Sequence, residues 1–320
     1  MKKIINLFLL SFLIFVVSCS THENRKVVPI KYIDTGIDSE AWVTVPAGEF
    51  LKGQHRHRVN IEKPYQIMVT DVTNAQYAKF LNEALAKGEI KVQADTVCGY
   101  YPGEPYDGWK HEFPVKAGDK LYVNLKHPAM RIKYDGKKFY VVKGFENHPV
   151  TLVTWFGANA YAKFYGWRLP TENEWEKAAR GTDGRTFPWG EEISCKYANY
   201  IACRHLTEKL YGQDVITTPV GFFNGKTYKN NVQTQNAISP YGLYDMAGNV
   251  WQWCGDDYPD MHYRWARGGS RNNYEINLFS WRRLSTQPWD YSIYIGFRCA
   301  RDVPEPAADN NEETAAVENK

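Results

Sequence analysis

Asp245, Gly248, Val250 and Gln252 fall within one short stretch, GLYDMAGNVWQW, from Gly242 to Trp253. A carboxylate, the backbone around a glycine and a valine, and a side-chain amide offer several oxygens to one hard cation at a sharp loop. Gly248-Asn249 favours a tight turn with positive φ, which supplies that loop. The same residues also suit a plainer arrangement. In it Asp245 caps the turn, and Trp251 and Trp253 are core, each indole N–H needing a partner once buried.

Other residues capable of chemistry are fewer. Glu172, Glu174 and Glu176 alternate along one segment. They crowd the first turns of an expected helix, where the macrodipole favours acids, so they read as capping and solvated charge. His55 and His57 share one face of a strand-like segment, which gives two potential ligands; a solvated His-Arg-His-Arg surface is the preferred reading. Past residue 19 the cysteines are Cys98, Cys195, Cys203, Cys254 and Cys299. Cys195 and Cys203 are close enough to bridge a small loop, although spacing alone does not pair them. The absence of a C-x-x-C pair argues against a zinc knuckle.

These residues must be positioned by a chain of 320 residues with 11 Trp, 22 Tyr and 15 Phe, long enough to bury a sizeable core. With 24 Gly and 16 Pro, the composition suggests a loop-rich fold held by aromatic packing. A net charge of +3 with scattered basic residues gives no footprint for nucleic acid. Strand–turn–strand is expected over Ala41–Gly53 and another strand at Pro64–Val72. Thr73 or Asn74 should cap a helix to about Ala86, and Thr154 one through Tyr165. Thr171 and Glu174 form a capping box for a third helix that ends at Gly181. Residues 91–147 lack a helical period and read as an inserted elaboration, with short strands at Leu121–Asn124, Met130–Tyr134 and Lys138–Val142. Asp135-Gly136 is a hairpin signal between the last two. The stretch 204–240 is polar and of low period.

At the N-terminus, Lys2 and Lys3 precede the apolar run Ile4–Val17, the layout of a secretory signal. Val16-Val17-Ser18-Cys19 resembles the lipobox of bacterial lipoproteins, in which the cysteine is diacylated. The resemblance implies a signal peptide over 1–18, lipidation of Cys19, a polar tether over 19–40 and a membrane anchor without a spanning helix. Residues 303–320 are acidic and read as a disordered tail.

The fragments VPAGEFLKG, DVTNAQYAKFL, HPVTLVTWFGANAYAKFYGWRLPTENEWEKAARG, FPWG, GLYDMAGNVWQW, ARGGS and GFRCAR follow one another in order over about residues 42–302. Together they resemble the formylglycine-generating enzyme, or sulfatase-modifying-factor, family. The resemblance implies a single α+β domain over 41–302, irregular, low in regular secondary structure and related to C-type-lectin-like folds. It implies calcium at Asp245, Gly248, Val250 and Gln252, where the family's usual Glu is here Gln252. A second calcium site would use Asn199 and the Tyr200 carbonyl, with Asp214 as the nearest acid. The family's two copper-binding thiolates fall on Asn273 and Leu278, so copper is not expected. The family pocket would lie near Trp251, Ser270 and Arg282 or Arg283.

The sequence therefore predicts a membrane-anchored envelope lipoprotein of the outer membrane. Its domain would act as a non-catalytic scaffold or binding module for a protein or glycan, for example in secretion or gliding machinery. An oxidase or other modifying enzyme with an altered active site is the alternative.

Overall fold

The computed structural model describes residues 26–105, 114–257 and 262–303. Cys19, the expected signal peptide and nearly all of the acidic tail lie outside them. The described chain is a mixed α+β assembly of several small sheets and few helices. None of those helices is long and apolar enough to cross a membrane.

The helices follow their capping residues. Helix α1 (Asn74–Ala86) starts at Thr73, whose hydroxyl accepts the Gln76 N–H while Gln76 reaches back to the Thr73 N–H. Helix α2 (Trp155–Phe164) is capped by Thr154, and α3 (Glu172–Arg180) by the Thr171–Glu174 box. A fourth helix, α4 (Arg204–Tyr211), lies in the stretch that reads as polar and of low period. It has no side-chain cap and buries only Leu206, Thr207 and Leu210, so its sequence carries little signal.

The strands β1 (Trp42–Val45), β4 (Tyr65–Met68) and β16 (Ala300–Asp302) form one antiparallel sheet that joins the two ends of the domain. β2 (Gly48–Lys52) turns away from β1 to pair with β3 (His57–Ile61). In the second sheet β12 (Trp251–Asp257) is flanked by antiparallel β13 (Arg264–Arg267) and parallel β15 (Ile295–Phe297), with β14 (Arg283–Thr286) outside β13. The segment expected as an elaboration contains β5 (Ile90–Gln93), β6 (Thr96–Tyr101) and β7 (Gly118–Asn124) in one sheet. It also holds the hairpin β8 (Ile132–Tyr134) and β9 (Phe139–Val141), closed over Asp135-Gly136. A short pair, β10 (Thr227–Tyr228) and β11 (Val232–Gln233), completes the set.

The main core joins α1 and α2 to β12 and to this segment. Val97, Tyr122, Val123, Ile132 and Phe139 pack in one cluster with Tyr77, Phe80, Trp155, Trp253 and Phe297. Residues 91–147 thus help to build the core as well as its surface. The tether assignment changes similarly between 26 and 40. Ile30 N–H donates to the Lys143 carbonyl, Thr35 donates to the Val220 carbonyl, and both side chains are buried. Cys195 and Cys203 form a disulfide.

Candidate functional site

The GLYDMAGNVWQW stretch forms a compact irregular loop that feeds into β12. Asp245, Gly248 and Asn249 all have positive φ (59°, 80° and 65°). At Gly248 a Cβ would come within 2.8 Å of the Asn199 carbonyl oxygen, so the close approach of two backbones requires glycine. Asn249 then ties three loops together. Its N–H donates to the Asn199 carbonyl at 2.8 Å, and its carbonyl accepts from Arg271 N–H at 3.0 Å. Its side chain exchanges hydrogen bonds with the backbone of Thr218 and accepts from Asn199 Nδ2 at 3.2 Å. The sequence marks Asn249 only as a turn residue; its side-chain role depends on residues 31 and 50 positions away.

The first expected cation set is held by its own hydrogen bonds. Gln252 is fully buried, and its Oε1 accepts from Trp175 Nε1 at 2.7 Å and Arg298 Nε at 2.8 Å. Its Nε2 donates to the Asp245 carbonyl at 2.7 Å. Both lone-pair directions of the amide oxygen are thus engaged, one of them by a cation. Asp245 Oδ2 accepts from Gly221 N–H at 2.7 Å, and burial raises its carboxyl to about 6. Within this set the Gln252 amide oxygen thus serves the buried Arg298 guanidinium and the Trp175 indole.

The second set differs. Asn199 is fully buried; its Nδ2 donates to the Ile216 carbonyl at 3.0 Å and to Asn249, while its Oδ1 has no partner. An orphaned buried oxygen suits an oxygen-seeking cation. The Tyr200 carbonyl accepts from Cys203 N–H at 2.8 Å, and Asp214 pairs with Arg271. Among the described residues, no three His, Cys, Asp or Glu side chains gather as a metal cluster. His55 and His57 are exposed, with ring centroids 6.1 Å apart.

After β13 the chain reaches Gly268-Gly269-Ser270. Ser270 is buried, and its N–H and Oγ both donate to Asn273 Oδ1, at 3.0 and 2.6 Å. Leu278 is fully buried among Phe187, Ala198, Tyr200 and Ala247. Its side chain packs on Gly269, where an added Cβ would come within 2.9 Å of Leu278 Cδ1. Between them Tyr274 and Ile276 stand exposed. Trp251 is buried in the main core. Arg282 is exposed, while Arg283 turns to Glu172 at 3.3 Å and lies 4.3 Å over Trp265. A cavity of about 540 Å³ opens elsewhere, lined by Phe80, Tyr122, Phe164, Lys91 and Asp119 among others.

Glu172, Glu174 and Glu176 correct the expectation of solvated charge, for all three are buried. Glu176 bridges Arg180 and Arg267. Glu172 faces Lys52 and Arg283 at 3.3 Å and Arg267 at 3.7 Å, which together hold its carboxyl below the usual range despite burial. Sequence periodicity cannot show this, because Arg267 lies 91 residues beyond Glu176.

Comparison with known proteins agrees with this architecture. The family described as "Sulfatase-modifying factor enzyme 1-like domain" matches residues 34–303. The formylglycine-generating enzyme of Streptomyces coelicolor is 30% identical over 310 residues, covering 82% of this chain and 89% of that protein. The inactive C-alpha-formylglycine-generating enzyme 2 of Bos taurus is 33% identical over 266 residues, covering 76% and 79%. The serine/threonine-protein kinase pkn1 of Chlamydia caviae is 30% identical over 287 residues, covering 82% of this chain but only 38% of the kinase. The chain spans between 27% and 38% of the length of the chlamydial kinases it matches. Among solved structures, PvdO from Pseudomonas aeruginosa superimposes with a TM-score of 0.53 at 22% identity, covering 82% of this chain and 94% of that one. With the loop before β12, the Gly-Gly-Ser turn and the buried Arg298 all in one domain, the chain belongs to the sulfatase-modifying factor enzyme 1-like domain family.

Proposed function

We propose that the protein is a cell-envelope lipoprotein whose domain serves as a non-catalytic scaffold or binding module. The observation that carries this reading is the chemistry at Asn273 and Leu278, the positions that the resemblance assigns to copper-binding thiolates. Asn273 spends its amide oxygen on Ser270, and Leu278 is packed into an apolar cluster. Copper(I) takes soft sulfur donors, and an amide and an isobutyl group supply none. The three described free cysteines offer no such pair at these positions: Cys98 sits on β6, and Cys254 and Cys299 are buried, where burial pushes both thiols up. A bovine relative named as inactive supports the idea that the family domain serves roles without this oxidation.

In this reading the loop between Ser270 and Leu278 is a contact surface. Tyr274 is 68% and Ile276 49% exposed, so an aromatic ring and an aliphatic side chain face solvent where the oxidase would hold its reaction centre. A protein or glycan of the envelope is the proposed partner, and diacylated Cys19 the proposed anchor to the outer membrane, as in secretion or gliding machinery. Calcium is assigned to the loop at Asn199, on the strength of its unpartnered Oδ1.

The test combines metal analysis of the purified protein with incubation on a cysteine-containing sulfatase peptide. Neither copper nor aldehyde product is expected; aldehyde detected by mass spectrometry, absent from a boiled control, overturns the reading. Cys19→Ala should remove the protein from the membrane pellet or leave an uncleaved precursor. Unchanged fractionation and migration would exclude the anchor.

A further inference from the structure

Six arginines are almost fully buried among the described residues: Arg131, Arg180, Arg264, Arg267, Arg271 and Arg298. Five of them face a carboxylate. Arg180 meets Glu176 at 2.9 Å, Arg298 meets Asp71 at 3.4 Å, and Arg267 meets both Glu176 and Glu172. Arg264 and Arg271 pair with Glu104 and Asp214. Arg131 breaks the pattern. Its Nη1 donates to Thr217 Oγ1 at 2.7 Å, its guanidinium lies 4.8 Å over the Phe145 ring, and its Nε, like those of Arg267 and Arg271, has no hydrogen-bond partner.

The surrounding hydrogen bonds bring no negative charge. The same Thr217 Oγ1 lies 2.8 Å from His148 Nδ1. His148 Nε2 lies 3.2 Å from the Tyr211 hydroxyl, so both ring nitrogens face uncharged groups. Burial and then the Arg131 charge hold the imidazole well below its usual range, so it is neutral at pH 7. Burial lowers Arg131 only to about 10, so it keeps its proton at neutral pH. The cluster therefore carries one buried positive charge without a counter-ion. Such a charge is costly to bury unless it is paired.

A cavity of about 100 Å³ adjoins this cluster, between the segment at 26–28, the start of β8 and the loop at 213–216. Arg131, Ala129, Phe145, Val215, Lys26 and Asp214 are among its lining. Water would satisfy a donor there but would bring no charge. Arg131 and Lys26 favour an anion. Asp214, although paired with Arg271, disfavours one of high charge. Guanidinium matches a planar carboxylate, and Ala129, Phe145 and Val215 offer an apolar wall. We propose that this cavity binds a small, singly charged carboxylate, held by the Arg131 guanidinium with its short apolar body against Ala129, Phe145 and Val215.

The test is calorimetry and thermal melting of the full mature protein with sodium acetate, propionate and butyrate, at constant ionic strength, against chloride, sulfate and phosphate. Saturable heat and a rise in melting temperature are expected with at least one of the carboxylates. Arg131→Met keeps the length of the side chain without its charge and should weaken that dissociation constant at least tenfold. Should that variant fail to fold, Ala129→Leu fills the cavity while keeping Arg131, and should also abolish binding. The proposal is overturned by the absence of a saturable response to every carboxylate. Unaltered binding in Arg131→Met or Ala129→Leu overturns it too, as does stronger binding of sulfate or phosphate than of any carboxylate.

Discussion

Arg298 Nε donates to Gln252 Oε1 at 2.8 Å, on the same oxygen that accepts the Trp175 indole N–H. One amide thus serves a guanidinium from the strand-end motif GFRCAR, an indole from α3 and, through its Nε2, the carbonyl of Asp245. All three side chains are fully buried. Gln252→Leu would leave an indole N–H, a guanidinium N–H and a carbonyl unpaired, with an expected cost of about 3 kcal/mol. Gln252→Glu keeps both acceptor contacts and adds an ion pair with Arg298, but loses the donor to Asp245. The expected order in urea denaturation is wild type, then the Glu variant, then the Leu variant. Equal midpoints for all three would show that this amide does not organise the loop.

Stability should depend on pH through Asp256. Its Oδ1 accepts from Glu172 N–H at 2.8 Å at the start of α3, and burial raises its carboxyl from 3.8 to about 6, with the nearby Glu172 charge adding to the rise. A raised carboxyl pKa means that the folded state holds its proton more tightly than the unfolded chain. The resulting stability is full below about pH 4 and is lost as pH rises through about 6. Asp256→Asn keeps an acceptor for the same N–H and removes the titration. The variant should match the wild type near pH 4 and exceed it by about 2 kcal/mol at pH 7.5. Parallel melting temperatures across that range would refute the assignment.

Local chemistry was the most readable part of the fold. Thr73, Thr154 and Thr171 start their helices because their hydroxyls accept N–H groups three residues on, a relation contained within four residues of sequence. Asp135-Gly136 closes its hairpin for the same local reason. What depends on distant partners did not show. Glu176 reads as surface charge until Arg267 is brought to it, and Asn74 as a second cap candidate until its Nδ2 reaches the carbonyls of Phe145 and His148. The site was legible as a loop and as a set of oxygens. Which of those oxygens were already engaged depended on Arg298, Trp175 and Gly221, all outside the loop.

Calcium at the Asn199 loop carries its own expectation. A ligand that binds only the folded state stabilises it by mass action, so chelation should lower the melting temperature and added calcium should restore it. Asn199→Ala removes the unpartnered Oδ1 together with the hydrogen bonds to Ile216 and Asn249. The variant should be less stable than the wild type and should no longer respond to chelator. A wild-type melting curve unmoved by chelator, with no calcium found in the purified protein, would remove calcium from this loop. Gln252→Glu should leave the chelator response in place, because the Gln252 amide belongs to a different set of contacts.

The largest single effect is expected at Glu176. Its Oε1 accepts from Arg180 Nη1 at 2.9 Å and Gly53 N–H at 2.5 Å, and its Oε2 accepts from Arg267. One carboxylate thereby joins α3, the β2–β3 turn and β13, and stands between two guanidinium groups that are themselves 1% or less exposed. Glu176→Gln preserves the shape but removes the one charge that, among the described residues, faces both arginines at hydrogen-bond distance, and turns an amide N–H₂ toward existing donors. Breaking one partner of a buried ionic group leaves uncompensated charge, which costs about 3–5 kcal/mol. The control is Glu49→Gln, whose ion pair with Arg58 at 2.8 Å is open to solvent and should change stability by no more than about 0.5 kcal/mol. Chemical denaturation of both variants measures the contrast. A loss at Glu176 as small as that at Glu49 would mean that the arginines are stabilised by something other than this carboxylate.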